Sequence, residues 1–424
     1  MNFFEELKAR GIIDALSNEK ELETKFNEGG MSFYCGYDPT SKSLQLGNLF
    51  TIITCMRFQK AGHKPYMLVG GATGMIGDPS GKSEERNLLD LSTLLANVAS
   101  IRQQLGRFVD FDCGPNSAVL VNNADWWSGL DFLEFLRTIG KRFRVNEMIQ
   151  KDSVKSRLAS DSGISLTEFT YQVLQAYDFT YLNKEYDVSL QIGGSDQWGN
   201  MTAGTDLTRK MNQTHVYCMT MPLVTDQNGK KFGKSEGNAI FLSADMTSPY
   251  KMYQFLLNQD DQITDKLLKY YTFLSLEDIA SLKVKTETEP HLRAAQKVLA
   301  EQVVQLVHGA SGLQSAQKAT SFFFGQKIED VTDLEISAIF EDVPAVTVDQ
   351  AFLNEGDYLE LLVQTPLFKS KGEARRSVQQ NGVSINNIKC SDINKKITKD
   401  DLASETSLVI KKGKKNFCLI KFQS

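Results

Sequence analysis

The chain has 424 residues, 41% of them hydrophobic and 23% charged, and a formal net charge of −5. This composition can build ordinary packed cores and excludes a mostly disordered chain. No run of about 18 apolar residues predicts a membrane span, and the length predicts about two to four domains. The start, MNFFEELKAR, is acidic where a signal peptide needs a basic end and an apolar stretch, so we expect a cytoplasmic protein.

The cysteines and histidines do not suggest a metal site. The six cysteines form no CxxC pair, and the four histidines lack HExxH spacing. This pattern favours neither structural zinc nor a disulfide framework. We expect reduced and mostly buried thiols.

The first half of the chain predicts a parallel α/β sheet. Residues 32–37 and 65–69 have the pattern of strands, and a helix is predicted between them from Leu46 to near Gly62. Strands that alternate with helices are typical of parallel sheets. The same reasoning predicts helices over 132–150 and 166–180 and strands over 188–192 and 222–225, the last followed by a turn at 226–229.

The second half predicts helices, a linker and a basic tail. Residues 249–309 have a mostly helical pattern, whereas 325–355 are acidic and lack strong periodicity. Residues 369–424 contain 13 Lys and Arg against five Asp and Glu, so this tail carries +8 and the rest of the chain −13. A basic tail on an acidic body suggests a polyanion partner, although a solvated charged face has the same composition.

Two loops have the composition of phosphate-binding segments. In residues 36–48, GYDPTSKSLQLGN, a strand end leads into a helix N-terminus, where backbone N–H groups can bind an anion. Residues 230–238, KKFGKSEGN, combine three lysines with two glycines, which suits a mobile loop around phosphate. An ordinary capped helix and a lysine-rich hairpin tip are the open alternatives. In the first loop, glycine leaves room for a ligand at Gly47, and the possible hydrogen-bond donors are Thr40, Gln45 and Asn48.

A third glycine-rich segment, residues 70–86, matches neither common nucleotide-binding motif. A Walker A motif needs glycine five residues before Gly81, where Ile76 stands, and the glycines follow GxxGxxG instead of the dinucleotide-binding GxGxxG. A loop of this kind after a strand suits a charged ligand, but also a solvated surface. Its charged residues of interest are Asp78, Lys82 and Arg86.

Two further segments carry polar side chains that could line a pocket. Tyr171, Gln175 and Asp178 are spaced i, i+4 and i+7 and share one face of a predicted helix, among apolar neighbours. Asp196 and Gln197 follow a strand and two glycines, at the carboxyl edge where open α/β sheets bind ligands. There, Asp196 could accept hydrogen bonds from ribose hydroxyls. A solvent-facing helix and a tight strand-to-helix turn are the open alternatives.

Taken in order, these segments resemble class I aminoacyl-tRNA synthetases, and among them the bacterial tyrosyl-tRNA synthetases. Pro39–Asn48 is similar to the HIGH-type signature and Lys231–Ser235 to the KMSKS-type loop, and residues 358–386 resemble an S4-type RNA-binding module. The blocks CGYDPT, GGATGMIGDPSGKS, TEFTYQVLQAYDF and IGGSDQWGN resemble those of the tyrosine enzyme. The resemblance covers nearly the whole chain. It implies an α/β fold with a Rossmann-type parallel-sheet catalytic domain (1–225), a signature loop and helical domain (226–325), a linker (326–355) and a small α+β S4-like RNA-binding domain (356–424).

The resemblance also implies an activity. A tyrosine–tRNA ligase converts L-tyrosine and ATP into tyrosyl-adenylate and pyrophosphate, and then transfers tyrosine to the 3′ end of tRNA(Tyr). Mg²⁺ would accompany ATP, and the enzyme would be a homodimer without membrane association.

The implied roles fall into three groups. Substrate binding would use Tyr34 and Asp178 at the phenol hydroxyl, Asp78, Tyr171 and Gln175 at the ammonium group, and Gln197 near the carboxylate. ATP binding would use Asp38, Gly47, Asn48, Asp196 and Lys234. The residues at or near the ATP phosphates, which would act in catalysis, are Thr40, Gln45, Lys82, Arg86, Lys231, Lys234 and Ser235.

One position departs from the family pattern. The first signature position, usually histidine, is Gln45. Glutamine keeps an NH₂ donor but cannot become cationic. The departure concerns the strength of triphosphate binding and not the reaction itself.

Three other functions compete with this interpretation. The related tryptophan-activating synthetase has no need for a phenol-binding pair such as Tyr34 and Asp178, and it lacks this tail. An RNA-binding regulator with a degenerate synthetase body could have lost the retained residues Lys231, Lys234, Asp78 and Asp196 at no cost to folding. A P-loop NTPase is disfavoured by the one-residue spacing error at Gly77.

Overall fold

The structure is a computed structural model that describes residues 1–80, 89–159, 163–226, 229, 232–235, 238–341 and 343–423. At residues 152, 153, 156, 234, 235, 238, 354 and 355 it describes the backbone alone. The chain divides into two compact units. The first is Met1–Met246 with Gln259–Leu299, and the second is Thr247–Asn258 with Ala300–Ser424.

A mostly parallel sheet forms the centre of the first unit. Its strands are Ala15–Leu16 (β1), Ser32–Tyr37 (β2), Lys64–Val69 (β3), Val119–Asn122 (β4), Leu190–Gly194 (β5) and Tyr217–Met221 (β6). They lie in the order β1-β6-β5-β2-β3-β4, with β1 antiparallel to β6 and the other pairs parallel. The chain order changes direction between β2 and β5. Ligands bind at such a switch point in open α/β sheets, outside the carboxyl ends of the strands.

Helices connect these strands and continue along the chain. Up to β6 they are Phe3–Arg10 (α1), Glu19–Glu28 (α2), Leu46–Lys60 (α3), Leu91–Leu105 (α4), Ala124–Trp127 (α5), Phe132–Thr138 (α6), Val145–Met148 (α7), Asp152–Leu158 (α8), Leu166–Tyr186 (α9) and Trp198–Asn212 (α10). A short antiparallel pair follows, Lys234–Ser235 (β7) and Asn238–Ala239 (β8). The next helices are Pro249–Leu257 (α11), Asp261–Tyr271 (α12), Leu276–Thr288 (α13) and Ala294–Phe323 (α14). Helix α14 is kinked at Gly309, which has φ 73°.

Helix α9 is held against the sheet by a cap and by close packing. Ser165 caps its first turn, because the Ser165 hydroxyl accepts from the Glu168 N–H at 3.2 Å. On the sheet side, the rings of Phe179 and Tyr34 lie 5.2 Å apart. Gly204 lets α10 approach the same ring, since a Cβ there would lie 3.1 Å from Phe179. The polar residues of α9 are therefore carried by a rigid element.

The sequence-based elements are largely confirmed in this unit. The strand predicted at 32–37 coincides with β2. The bounds of the predicted helix from Leu46 and of the predicted strand at 65–69 agree with those of α3 and β3 within two residues. The strand at 188–192 is found two residues later, and the helix at 166–180 extends to Tyr186 as α9. The helix at 132–150 is interrupted, because α6 and α7 are separated by a 3-10 turn.

The strand predicted at 222–225 is wrong. The sheet strand lies immediately before it, at Tyr217–Met221, where every residue is buried. Pro222 has no N–H to donate to a strand neighbour, which ends the ladder there. Of the turn predicted at 226–229, residues 227 and 228 lie outside the described residues.

The second unit contains an α+β module. Its helices beyond α14 are Asp333–Ile339 (α15), Phe352–Glu355 (α16), Tyr358–Gln364 (α17) and Lys371–Gln379 (α18). Its strands are Ala345–Asp349 (β9), Val383–Ile385 (β10), Ile388–Lys389 (β11), Ser407–Lys412 (β12) and Asn416–Gln423 (β13), in the order β11-β10-β12-β13-β9. Strands β9 and β13 pair in parallel, and the other pairs are antiparallel.

The structure contradicts the prediction of a linker over 326–355. This stretch holds α15 and β9, and β9 completes the sheet beside β13. Phe340 and Ile336 lie in one apolar core with Phe322 of α14 and with Phe417 and Leu419 of β13. The acidic composition misled the prediction, because the buried side of this segment is carried by a few widely spaced apolar residues.

The described residues contain no helix that is both long and apolar enough to cross a membrane. The parallel α/β sheet, the helices that follow it and the small α+β module confirm the fold class.

Candidate active site

A cavity of about 360 Å³ lies at the switch point of the parallel sheet, beside the ends of β2 and β5. Its wall combines the strand ends with the start of α3 and the middle of α9. Apolar side chains such as Leu68, Ile192 and Phe232 complete it. Of the residues assigned from the sequence, those that line this cavity are Tyr34, Asp38, Thr40, Gln45, Gly47, Asn48, Asp78, Tyr171, Gln175, Asp178, Asp196 and Gln197.

The structure does not describe the side chains of five assigned residues. Lys82, Arg86 and Lys231 lie outside the described residues. Lys234 and Ser235 form strand β7, for which the backbone alone is described. Their roles remain predictions.

Asp178 forms the polar inner end of the cavity. Its Oδ1 accepts from the indole N–H groups of Trp126 and Trp127, each at 2.8 Å, and its Oδ2 accepts from the Asn123 amide at 3.0 Å. The side chain is 2% exposed. Burial raises the pKa of Asp178 to about 7, whereas the three donors act in the opposite direction.

Two buried polar atoms in the same cavity have no hydrogen-bond partner among the described residues. They are the hydroxyl of Tyr34, which is 1% exposed, and Oε1 of Gln191, which is 4% exposed. Tyr34 and Gln191 are register partners on β2 and β5 and both line the cavity. Burial, and then the charge of Asp178, raise the pKa of Tyr34 well above its usual value. Buried polar atoms are normally paired, so two unpaired atoms in one cavity indicate a ligand site.

Asp38 lies at the end of β2 and joins three elements. Its Oδ2 accepts from the Tyr171 hydroxyl at 2.6 Å, and its Oδ1 accepts from the Thr73 hydroxyl at 2.7 Å. A side chain at Gly70 would collide with this carboxylate, which is why glycine stands there. Burial raises the pKa of Tyr171 well above its usual value, so its phenol stays protonated and remains a donor.

Asp78, Gln175 and Gln197 are linked through a residue that the sequence analysis did not identify, Asn200. Asp78 Oδ2 accepts from the Gln197 amide at 2.7 Å, and Asp78 Oδ1 accepts from the Ser80 N–H at 2.9 Å. The Asn200 amide donates to Gln175 Oε1 at 3.0 Å and to Gln197 Oε1 at 3.3 Å. Two carboxamides and a carboxylate are thus held in one connected network.

The two signature-like segments meet at the start of α3. The Leu46 N–H donates to Ile240 O at 2.8 Å, and the Ile240 N–H donates to Gly233 O at 2.7 Å. Gly233 has φ 85°, and a Cβ there would lie 3.2 Å from the Leu46 Cβ. Gln45 precedes the first helical residue, and its N–H donates to Asn48 Oδ1 at 3.0 Å. The sequence placed these segments about 190 residues apart, and the fold brings them together.

The described lining of the cavity is acidic. It includes four carboxylates, Asp38, Asp78, Asp178 and Asp196, and no lysine or arginine among the described residues. Such a lining favours a cationic group, for example an ammonium, near its inner end. A bound polyphosphate would need cations from elsewhere, and the assigned lysines and arginine lie in or beside the segments that the structure does not describe.

Several residues of the site escaped the sequence analysis. Asn123, Trp126 and Trp127 all come from NADWW at 123–127, directly after β4. Both β4 and α10 were also missed. The available signal was the run of polar and indole groups at a strand end, where parallel sheets bind ligands.

Comparisons with known proteins agree with this geometry. Residues 27–325 match the family described as tRNA synthetases class I (W and Y), and residues 335–420 match the Tyrosine–tRNA ligase SYY-like C-terminal domain. The chain is 48% identical over 423 residues to the Tyrosine–tRNA ligase of Streptococcus uberis, with 100% of both chains covered. It is 46% identical to that of Pectobacterium carotovorum, over 99% of this chain and 98% of the relative.

A solved structure gives the same result. The C-terminally truncated mitochondrial tyrosyl-tRNA synthetase of Coccidioides posadasii is 31% identical, with a TM-score of 0.66 over 75% of this chain and 91% of that one. The match of the C-terminal family from residue 335 also agrees with the finding that 326–355 is not a linker. The chain therefore belongs to the class I tRNA synthetases of the tryptophan and tyrosine group, and within that group to the tyrosine–tRNA ligases.

Proposed function

We infer that this chain is a tyrosine–tRNA ligase that activates L-tyrosine with ATP and transfers it to tRNA(Tyr). In the first step, the tyrosine carboxylate attacks the α-phosphorus of ATP and pyrophosphate leaves. In the second, a hydroxyl of the terminal tRNA ribose attacks the tyrosyl carbonyl and AMP leaves. No protein nucleophile is needed, so the task of the site is positioning and stabilisation of charge.

The observation that carries this proposal is the hydrogen-bonding capacity around Asp178. Its Oδ1 already accepts two hydrogen bonds and its Oδ2 accepts one, so Oδ2 has capacity for one more donor. The nearby Tyr34 hydroxyl is buried and unpaired among the described residues. A phenol hydroxyl supplies the missing donor for Asp178 and the missing acceptor for Tyr34. Phenylalanine supplies neither.

The rest of the substrate fits the charge of the cavity. The ammonium group is a cation with three donors, and we assign it to Asp78, Tyr171 and Gln175, which lie on the acidic wall. Gln197 takes the position near the carboxylate. In this assignment the carboxylate would face the side of the cavity that we assign to ATP.

ATP is assigned to the side of the cavity formed by the start of α3. Gly47 is open, since among the described residues only the Phe232 carbonyl lies within 4 Å of a would-be Cβ, so an adenine ring can approach the backbone. Asp38, Asn48 and Asp196 are assigned to ATP binding, and Thr40 and Gln45 to the phosphates. The leaving pyrophosphate would be stabilised by Lys82, Arg86, Lys231, Lys234 and Ser235.

Mg²⁺ is proposed to arrive with ATP. It prefers hard oxygen ligands and usually keeps several waters, so phosphates bind it without a protein cage. Among the described residues, no group of three His, Cys, Asp or Glu side chains is placed to hold a metal ion. When bound, Mg²⁺ would neutralise part of the phosphate charge.

The C-terminal module is proposed to bind tRNA through a subset of its basic residues. Lys371, Lys395 and Lys412 have carboxylate partners, with N–O distances of 2.6 to 2.9 Å. Arg375 and Arg376 on α18 are exposed, as are Lys414 and Lys415 between β12 and β13. The Gly413 N–H donates to Gly382 O at 2.9 Å, which brings this hairpin tip to the end of α18. These four cations form one candidate phosphate-binding surface, the α18–hairpin surface.

A homodimer is also proposed. Six large apolar side chains are exposed among the described residues between 132 and 166, and soluble monomers seldom leave such a group uncovered. Light scattering should give the mass of a dimer, and Leu133→Glu should lower it. The exposed apolar side chains are Phe132 (68%), Leu133 (68%), Leu136 (45%), Val145 (64%), Leu158 (52%) and Leu166 (77%).

We also propose a cytoplasmic location, because the partner tRNA is made and used in the cytoplasm.

The test of the activity is ATP–pyrophosphate exchange with tyrosine, phenylalanine and tryptophan. Tyrosine should support exchange, and kcat/KM for phenylalanine should be lower by about a hundredfold or more, because it leaves two buried polar groups unpaired at about 1–3 kcal/mol each. Asp178→Ala should erode this preference. Comparable rates with phenylalanine, or exchange with tryptophan alone, would contradict the assignment.

A further inference from the structure

We propose that Asn200 is a positioning residue that orients the carboxamides of Gln175 and Gln197 for the amino-acid substrate. This inference rests on the proposed function. Asn200 lies in the first turn of α10, is 5% exposed and is not part of the cavity wall. It would therefore act on the substrate only through the two glutamines, which do line the cavity.

The contacts determine which atom of each glutamine faces Asn200. An amide NH₂ group donates two hydrogen bonds and accepts none. The Asn200 NH₂ lies 3.0 Å from Gln175 Oε1 and 3.3 Å from Gln197 Oε1, so both oxygens turn toward it. The Ser80 hydroxyl, 3.4 Å away, is the third and most distant neighbour.

The orientation of Gln197 is also determined from its other end. Its Nε2 donates to Asp78 Oδ2 at 2.7 Å. If the amide flipped, its oxygen would face the Asp78 carboxylate and its NH₂ would face the NH₂ of Asn200. Both new contacts are repulsive, so Asn200 and Asp78 together select one orientation.

The consequence for the substrate is a defined pattern of one acceptor and one donor. Gln175 Oε1 uses one lone pair for Asn200 and keeps a second for the ammonium group, whereas Gln197 Nε2 donates one hydrogen to Asp78 and keeps the other for the carboxylate. An ammonium group needs acceptors arranged around it before it binds, and a freely rotating carboxamide would present its NH₂ half of the time. The proposed contribution of Asn200 is this preorganisation, which affects the binding of tyrosine and not that of ATP.

The test compares two substitutions on the same helix. Asn200→Leu has a similar size and removes both donors. Asn212 at the other end of α10 has the matching structural role, since its amide donates to Thr180 O and Asn183 Oδ1, each at 2.9 Å. Asn212→Leu therefore removes two hydrogen bonds between α9 and α10 far from the cavity.

The expected results separate positioning from stability. Asn200→Leu should raise KM for tyrosine in pyrophosphate exchange about tenfold or more and should change KM for ATP less than about twofold. Asn212→Leu should lower Tm to a similar extent with no change in KM for tyrosine. In a background of Gln175→Ala and Gln197→Ala, Asn200→Leu should add little further effect, because the groups through which it acts are gone.

Three outcomes would overturn the proposal. They are an unchanged KM for tyrosine in Asn200→Leu, an equal rise in Asn212→Leu, and full additivity in the double-alanine background. Failure of the proposed function is distinguished by the parent protein, which would then show no tyrosine-dependent exchange at all. If Asn200→Leu does not fold, Asn200→Asp keeps the shape, reverses the hydrogen-bond polarity and should show the same selective rise in KM.

Discussion

Removing one donor from the buried Asp178 should shift the pH dependence of tyrosine activation. The perturbation is Trp127→Phe, which keeps an aromatic ring and deletes the indole N–H that donates to Asp178 Oδ1 at 2.8 Å. The parent carboxyl has a pKa of about 7, which burial raises and this donor helps to lower. Since the phenol of tyrosine needs an ionised acceptor, kcat/KM should fall as the pH drops through the pKa of Asp178 in the free enzyme.

The size of the effect follows from the lost contact. A hydrogen bond to a charged group is worth about 1.5–3 kcal/mol, and one pH unit of pKa change corresponds to about 1.4 kcal/mol. The midpoint for Trp127→Phe should therefore move from about 7 to between about 8 and 9. With a midpoint near 8.5, the ionised fraction at pH 7.5 falls from roughly three quarters to roughly a tenth, an eightfold loss of kcat/KM that should be mostly recovered by pH 9.

The assay is pyrophosphate exchange at limiting tyrosine and saturating ATP, from pH 5.5 to 9. Tyr34→Phe is the control, because it deletes a hydroxyl that has no partner among the described residues and is not a donor to Asp178. It should lower kcat/KM while leaving the midpoint near that of the parent. If the midpoint of Trp127→Phe coincides with the parent value, or if the parent shows no acidic limb between pH 6 and 8, the reasoning about Asp178 is refuted.

Five other predictions concern the signature segments, the tail and the core. Lys234→Ala should raise the activation free energy of adenylate formation by about 2–4 kcal/mol, with little change in tyrosine affinity. An unchanged single-turnover rate would show that Lys234 has no part in the mechanism. If Gln45 takes the place of the usual histidine at a phosphate, Gln45→Ala should raise the activation free energy of the same step by about 1.5–3 kcal/mol. A rate within about twofold of the parent would mean that Gln45 does not contact the phosphate. Deleting residues from 326 onward should leave adenylate formation nearly intact and severely impair tRNA charging. A protein that lacks residues from 356 onward should in addition aggregate or have a lower Tm, because the deletion removes β13 from β9 and uncovers the core around Phe340. In the full-length protein, Arg375→Glu combined with Lys414→Glu should weaken tRNA binding more than Lys283→Glu on α13. His63 is fully buried between the Met31 N–H and the Phe26 carbonyl, and burial lowers its pKa. The free energy of unfolding should therefore fall as the pH drops below about 6.5, where the unfolded chain takes up the proton. Urea unfolding of His63→Gln should show a shallower pH dependence of this free energy between pH 7.5 and 5.5, and the same slope as the parent would argue against this role.

The sequence was sufficient where a function depends on short, contiguous segments. The turn after β2, the polar face of α9 and the two glycines after β5 each reveal themselves through local chemistry. Hydrophobic periodicity places them on a strand end or one helix face. Twelve residues that were assigned from these segments line one cavity in the folded chain, and the family could be recognised from the order of the segments.

Local patterns failed where burial depends on distant partners. Strand β6 was placed five residues late, since its neighbours β1 and β5 are separated from it in the chain and only their pairing shows where it ends. The acidic stretch 326–355 resembled a linker because β9 is recognised only beside β13, some 70 residues later.

The chemistry of the inner site was decided by the tertiary structure alone. The sequence identified Asp178 as a candidate, but its three donors come from NADWW, more than 50 residues earlier, and only folding brings them to one carboxylate. The unpaired atoms of Tyr34 and Gln191 and the link through Asn200 are likewise properties of packed neighbours. A single sequence shows which polar and charged groups are available. The pKa of each group and its capacity to bind a ligand are determined by desolvation and hydrogen-bond pairing, and both depend on the neighbours that only the folded structure provides.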